Sequence, residues 1–310
     1  MICSGKGCSV TFSDVTFENC CLLVLSGAHA TLDNTRFKNE HCTTDQDSHI
    51  GPGISVVCHG VNTKVGMTGV HVNGGEVGVA VRAGAQLQAE NLVIEQVSVS
   101  AMQTHDEGSS LSVTSATIKN MVSLRKTRAS LKWSTHAVLV SRGSFAALTQ
   151  VRVEASDLGV VVDNSHARLK DCSVTGTLKS CAQFRGGATG EVCQTHLCGS
   201  RSGVGLHVRG WGTTVEVDGC TIQDNAQQSI AVADDAEVEV KATVSEGNMG
   251  RAALRATTGA KLTVSNSSSR RDRNPGAVEH RSGGTVVISD VNVNGVNMSG
   301  VFTDNSNHGQ

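Results

Sequence analysis

Residues 213–247 read TTVEVDGCTIQDNAQQSIAVADDAEVEVKATVSEG, and the phrase TVEVDGCTI returns about one unit later as AEVEVKATV. An internal repeat of this length constrains the fold more tightly than any single motif, because each copy must do the same structural job. Small turn residues mark the copies: Gly27, Gly60, Gly84, Gly108, Gly143, Ser165, Gly187, Gly212, Asp235, Gly259 and Gly283. Most of these anchors lie 22 to 25 residues apart, and two gaps stretch to 33 and 35.

Each anchor is followed by the same grammar. ATLDNTRF, AQLQAENLVI, SLSVTSATI, ARLKDCSV and TVVISDVNV all alternate apolar and polar residues, pause at Gly, Asn, Asp or Ser, and resume alternating. A third short strand phrase, such as GVAVRAG or HAVLVSRG, leads into the next anchor. Alternation with period two describes strands with one buried face. A unit of three short strands cannot bury that face alone, but stacked units can, each strand pairing with those above and below. The chain is therefore expected to be all-β, a parallel β-solenoid of about 11–12 coils of 22–25 residues, with residues 1–310 forming one domain. Equivalent positions should stack as columns. One inward column is predicted to contain Val15, Thr35, Val70, Leu92, Ala116, Val151, Cys172, Cys220 and Val291.

Composition agrees and excludes several classes. There are 34 glycines and 2 prolines, aromatics make up 3%, and tyrosine is absent, a profile of many short strands and tight turns. Lys+Arg 26 against Asp+Glu 28 provides no basic field for nucleic acid. No run of 18 apolar residues is present, so no membrane-spanning helix is expected. The opening MICSGKGCSV has no leader character and reads as the middle of a pattern, which predicts a piece of a longer protein or assembly. The 11 cysteines include no CxxC pair, and several occupy apolar positions of the repeat, which predicts buried free thiols.

Unit length and grammar together resemble the right-handed parallel β-helix superfamily with pectate-lyase-like repeats, over essentially the whole chain. That resemblance implies a right-handed coil and leaves function open, because the fold hosts lyases, hydrolases, epimerases, adhesins and scaffolds. The active-site patterns of those enzymes are not reproduced. Of the polygalacturonase set Asn-Thr-Asp, Asp-Asp, Gly-His-Gly and Arg-Ile-Lys, only Asp234-Asp235 is found, at a turn. The Asp-Pro-His-Asp of alginate epimerases and the Arg-x-Pro-x-x-Arg of pectate lyases are missing.

Chemistry is expected where the unit is interrupted. The two long gaps insert loops near residues 40–53 and 121–136, at the same phase of the repeat. Equal phase predicts two loops on one corner, three coils or roughly 15 Å apart, walling a groove. The first carries His41, Asp45, Asp47 and His49, residue types that could ligate a metal although their spacing fits no ligand template. The second carries Arg125, Lys126, Arg128, Lys132, Trp133 and His136, cations and an indole suited to an anionic chain such as an acidic polysaccharide. Glu76 and Glu95 are candidate carboxylates between the walls. An outward column of Arg82, Asp106, Ser141, Asp163, Arg185, Arg209, Ala233, Thr257 and Arg281 reads as charge compensation along one face.

Two functions remain in view. The first is a non-catalytic solenoid, a scaffold or recognition module whose ends are capped by a flanking domain or subunit. The alternative is a polysaccharide lyase, hydrolase or epimerase working on an acidic polysaccharide between the loops. No cofactor is expected in the first case, and calcium enters only with the second.

Overall fold

The computed structural model describes residues 1–39, 53–121, 134–272 and 278–303. Among these residues every helix or strand segment is a strand, and no helix is long and apolar enough to cross a membrane. The chain divides into two compact units, residues 1–161 with 165–167, and residues 162–164 with 168–310.

The first unit is a parallel β-helix. One run of strands, Leu22–Leu25, Ile54–His59, Val77–Arg82, Ser100–His105 and His136–Ser141, pairs in parallel from each coil to the next. The other faces are built from the double-alternation phrases, for example Gln86–Glu95, Ser110–Lys119 and Phe145–Glu154. Their register stacks like on like: Val65 on Leu87, Leu87 on Leu111, Leu111 on Ala146. Leu87, Leu111 and Leu148 are fully buried, each contributing about 1.5–3 kcal/mol by burial.

The second unit repeats the plan. Thr214–Asp218, Glu237–Lys241 and Lys261–Ser265 stack Val215 on Val238 and Val238 on Leu262. Gly190 stacks beneath Val215 in that column, and a Cβ there would meet the ring of Phe184 at 2.2 Å. The bulk missing at residue 190 is supplied by Phe184, which is fully buried.

The predicted inward column is present. Thr35, Val70, Leu92, Ala116, Val151, Cys172, Cys220 and Val291 are all buried, and Val15 is half-buried. In the second unit the column also includes Thr195, Thr243 and Ser267. Their hydroxyls accept from backbone amides one coil away: Cys172 N at 3.3 Å, Cys220 N at 3.4 Å and Thr243 N at 3.1 Å. A buried hydroxyl is tolerated because it is paired. The described cysteines are free thiols, five of them buried.

The pause residues have a common cause. Asn34, Asn91, Ser115, Asp171 and Asp290 all adopt positive φ, between 46° and 58°, the left-handed corner that Asn and Asp tolerate best among residues with a Cβ. Gln150 and Ala242 adopt it too, at 54° and 47°, without the side chains that make it easy.

Two features were not expected. First, the strands Ile54–His59 and Val77–Arg82 are buried on both faces along almost their whole length, whereas Leu206–Arg209 and Ile230–Ala233 in the second unit alternate. The cause is a second apolar cluster in the first unit, Leu23, Ile54, Val57, Val77 and Ala80, with Cys21, Leu25 and Val99 against it. Second, Val296–Thr303 folds back antiparallel on Thr285–Val293. The connection is Asn294-Gly295, with both φ values positive, the two-residue hairpin chemistry that NG encodes.

Candidate functional site

In the first unit, the strands running into the glycine anchors point alternate side chains away from the helix interior. Register defines two such columns. One runs Leu23, Val57, Ala80, Gln103, Leu139. The other begins with Leu25, His59 and Arg82 and continues with His105 and Ser141. The first is an apolar floor from Leu23 to Ala80 that Gln103 interrupts, and the second changes from apolar to basic. Together they form one wall of a groove of about 690 Å³ lined by Leu25, Ile54, Val57 and His59 at one side and Arg82, His105, Asp106 and Arg142 at the other. That volume is within the range of small-molecule sites.

This register corrects the predicted outward column. Ser141 lies beside His105, not Asp106. Asp106 has turned the corner with φ 73°, so His59 and His105 hold column positions that counting back from the anchor misses. Counting along the strand instead would have found them. Arg185 does stack on Arg209, but Asp163 pairs with Arg185 at 2.8 Å, which is the charge compensation expected of that face.

The polar end of the groove is an ordered network. Ser141 Oγ donates to His105 Nδ1 across a short contact. The opposite ring nitrogen, Nε2, donates to Gln103 Oε1 at 3.1 Å. Both bonds are satisfied by a neutral imidazole. Burial, followed by the charges of Arg82 and Arg142, pushes the His105 pKa down to about 4 against the opposing pull of Asp106. Asp106 Oδ1 is 3.9 Å from Arg142, and its Oδ2 accepts the Ala83 amide at 3.3 Å. Arg82 is half-buried, and its Nε has no hydrogen-bond partner. Two guanidiniums against one carboxylate leave a positive charge at this end. A buried N–H left unpaired costs about 1–3 kcal/mol, and because Arg82 also lines the groove its charge is offered to an anionic group there.

Three of the sequence-predicted site residues are described. Glu95, at the end of Gln86–Glu95, accepts from His71 at 2.9 Å and Asn73 at 3.3 Å, and lies 3.4 Å from Lys119. Burial raises its pKa, but the bond from His71 and the charge of Lys119 outweigh that and hold it below the ordinary carboxylate value. Glu76 packs beside Gly53 at the corner before Val77. His136 opens the strand that Ser141 closes, and its amide donates to Val99 O at 3.0 Å. None of the three is among the described residues lining the groove. Arg125, Lys126, Arg128, Lys132 and Trp133 lie outside the described residues, as do His41, Asp45, Asp47 and His49. Both insertions return to the chain immediately before strands of this wall, Ile54–His59 and His136–Ser141. Among the described residues no cluster of His, Cys, Asp and Glu is arranged to hold a metal ion.

A family model described as right-handed beta helix region matches residues 136–309. No curated protein matches the sequence. Among solved structures, the A-module of the Azotobacter vinelandii mannuronan C-5 epimerase AlgE4 is 10% identical over 94% of this chain and 87% of its own, with a TM-score of 0.38. The Streptococcus pneumoniae surface protein and adhesin PfbA is 6% identical over 92% of this chain and 90% of its own, with a TM-score of 0.34.

Proposed function

We propose that this chain, which belongs to the right-handed β-helix family, is a recognition module that binds a carboxylate-bearing saccharide, a segment of acidic polysaccharide, in the groove of its first unit. The observation that carries this reading is the charge at the basic end of a groove with an apolar side, where Arg82 and Arg142 face a single carboxylate, Asp106. A uronate presents matching chemistry: a carboxylate for the guanidinium, and a C–H face for Leu25, Ile54 and Val57. Neutral His105 adds no charge, and Asp106, bonded to Ala83 and close to Arg142, keeps the site from being indiscriminately basic.

The alternative, a lyase, hydrolase or epimerase on the same class of polymer, calls for an acid–base pair across the bound sugar. Asp106 is the one carboxylate among the described lining residues, which favours recognition over turnover.

Titration calorimetry with oligouronates and neutral oligosaccharides at low salt tests the reading. Binding of the uronates alone is expected, weakened about 10- to 100-fold by Arg82→Gln, the value of a charge-assisted hydrogen bond of about 1.5–3 kcal/mol. Equal binding of neutral oligomers, or insensitivity to Arg82→Gln, overturns it. Release of unsaturated or reducing ends, with or without calcium, would establish the enzyme instead.

A further inference from the structure

We propose that Cys3 and Cys8 are a thiol–disulfide modification site, closing reversibly into an intramolecular disulfide around the turn at residues 4–7. The two sulfurs lie 3.1 Å apart, about 1 Å beyond the bonded distance of about 2.05 Å. The intervening Ser-Gly-Lys-Gly is able to absorb that movement. Gly5 and Gly7 have φ of 107° and 85°, and a Cβ built on either would meet nothing within 4 Å. The turn is already folded, with Cys8 N donating to Gly5 O at 3.0 Å and Gly5 N to Leu25 O at 3.3 Å. Cys3 also reaches a backbone carbonyl, His29 O at 3.8 Å, a longer contact than those of Cys181 to Cys198 O at 3.6 Å and Cys220 to Val192 O at 3.2 Å, so its nearest sulfur partner is Cys8. The bond would tie strand Ile2–Ser4, which pairs with Leu22–Leu25, to strand Ser9–Ser13, which pairs with His29–Asp33. It would thus join two faces of one coil through a covalent link as well as through the coil below.

Access decides the order of events. Cys8 is half-exposed and Cys3 is buried. Burial, then the neighbouring Cys8 sulfur, pushes the Cys3 thiol up to about 11, so Cys8, the more exposed of the two, is the sulfur that meets an external reagent first. A low-molecular-weight disulfide is the oxidant. The Cys8 thiolate attacks one of its sulfurs, forming a mixed disulfide and releasing one small thiol. Cys3 gives its proton to solvent and displaces the second small thiol, forming the Cys3–Cys8 bond. Two protein thiols and one small disulfide become one protein disulfide and two small thiols.

The test uses the full chain, oxidised glutathione, alkylation under denaturing conditions, and non-reducing digestion after Lys6, which separates the two cysteines. The expected product is MICSGK linked to the peptide beginning GCSV, two hydrogens lighter than the free pair and split by dithiothreitol, while Cys20 and Cys21 remain alkylatable. Cys3→Ser should leave Cys8 carrying glutathione, and Cys8→Ser should leave Cys3 alkylatable. A wild-type chain that stops at the Cys8 mixed disulfide, or in which Cys8 pairs with Cys20 or Cys21, overturns the proposal.

Discussion

Asn248 is the sharpest test of how the second unit is held together. It is fully buried, and its side chain bridges three coils. Asn248 Oδ1 accepts from Asn225 N at 3.1 Å and Asn225 Nδ2 at 2.9 Å. Asn248 Nδ2 donates to Ile222 O at 3.1 Å and Asp272 Oδ1 at 3.1 Å. Asn225 Oδ1 in turn accepts from Ser200 N at 3.0 Å, so the ladder continues one coil further. In Asn248→Ala the backbone bond from residue 248 N to Asp272 Oδ1, 2.8 Å, survives. The Asn225 amide loses its acceptor outright. Asn225 Nδ2 keeps only Leu197 O at 3.3 Å, and Ile222 O loses a donor. One full orphan and two partial ones, at about 1–3 kcal/mol for a full orphan, predict a loss of about 3 kcal/mol. For a unit of this size that is roughly 6–12 °C in Tm. Denaturant unfolding followed by the β-sheet circular dichroism band measures it, and hydrogen exchange locates it, because the Asn225 amide should exchange far faster than those of Val215 and Val217. Asn248→Asp supplies a second check. It keeps the acceptor for Asn225 but places a charge against Asp272, so it should be worse than alanine at pH 7 and recover as the pH falls. A loss below about 1 kcal/mol for Asn248→Ala, with unchanged exchange at Asn225, would refute the ladder as a stabilising element.

Three further outcomes follow from the geometry. His105 has a folded pKa of about 4 against an ordinary 6.5, so between those values the unfolded chain binds more protons, and the contribution of His105 to stability, complete above pH 6.5, is lost as pH falls toward 4. His105→Gln should flatten the loss of stability over that window, and identical slopes for the two proteins would contradict the assignment. Ala242 is exposed and held at φ 47°, so Ala242→Gly should stabilise by about 1 kcal/mol in thermal unfolding, whereas destabilisation would mean that the corner is not strained. Gly190→Val should destabilise severely through its clash with Phe184, and Phe184→Val should rescue part of that loss, giving a favourable coupling energy in a double-mutant cycle; additive losses would show that the two sites do not share space.

Much of this was legible in the letters and some was not, for identifiable reasons. The inward column from Thr35 to Val291 was readable because period-two alternation and a constant unit length are local properties of the chain. The αL corners at Asn34, Asn91 and Asp171 were readable because Asn and Asp are tolerated there. The Asn294-Gly295 hairpin carried a clear signal that the solenoid pattern obscured. Thr195, Thr243 and Ser267 went unrecognised as interior residues because a hydroxyl looks exposed until its partner amide, one coil away, is known. His105 was displaced by Asp106 because counting from a glycine assumes a corner of constant length.

What the sequence determined alone is that this chain coils, with which residues inward and at what spacing, since every coil states the same pattern and neighbouring coils satisfy it. The outside of the first unit depends instead on which coils meet in space: an apolar floor from Leu23 to Ala80, a neutral His105 beside Arg82 and Arg142, and an Arg82 nitrogen left without a partner. Neighbours in the outer columns lie 23 to 36 positions apart in the chain. No repeat rule sets their identity, because outward side chains answer to whatever lies across the surface from them and not to the next copy of the pattern.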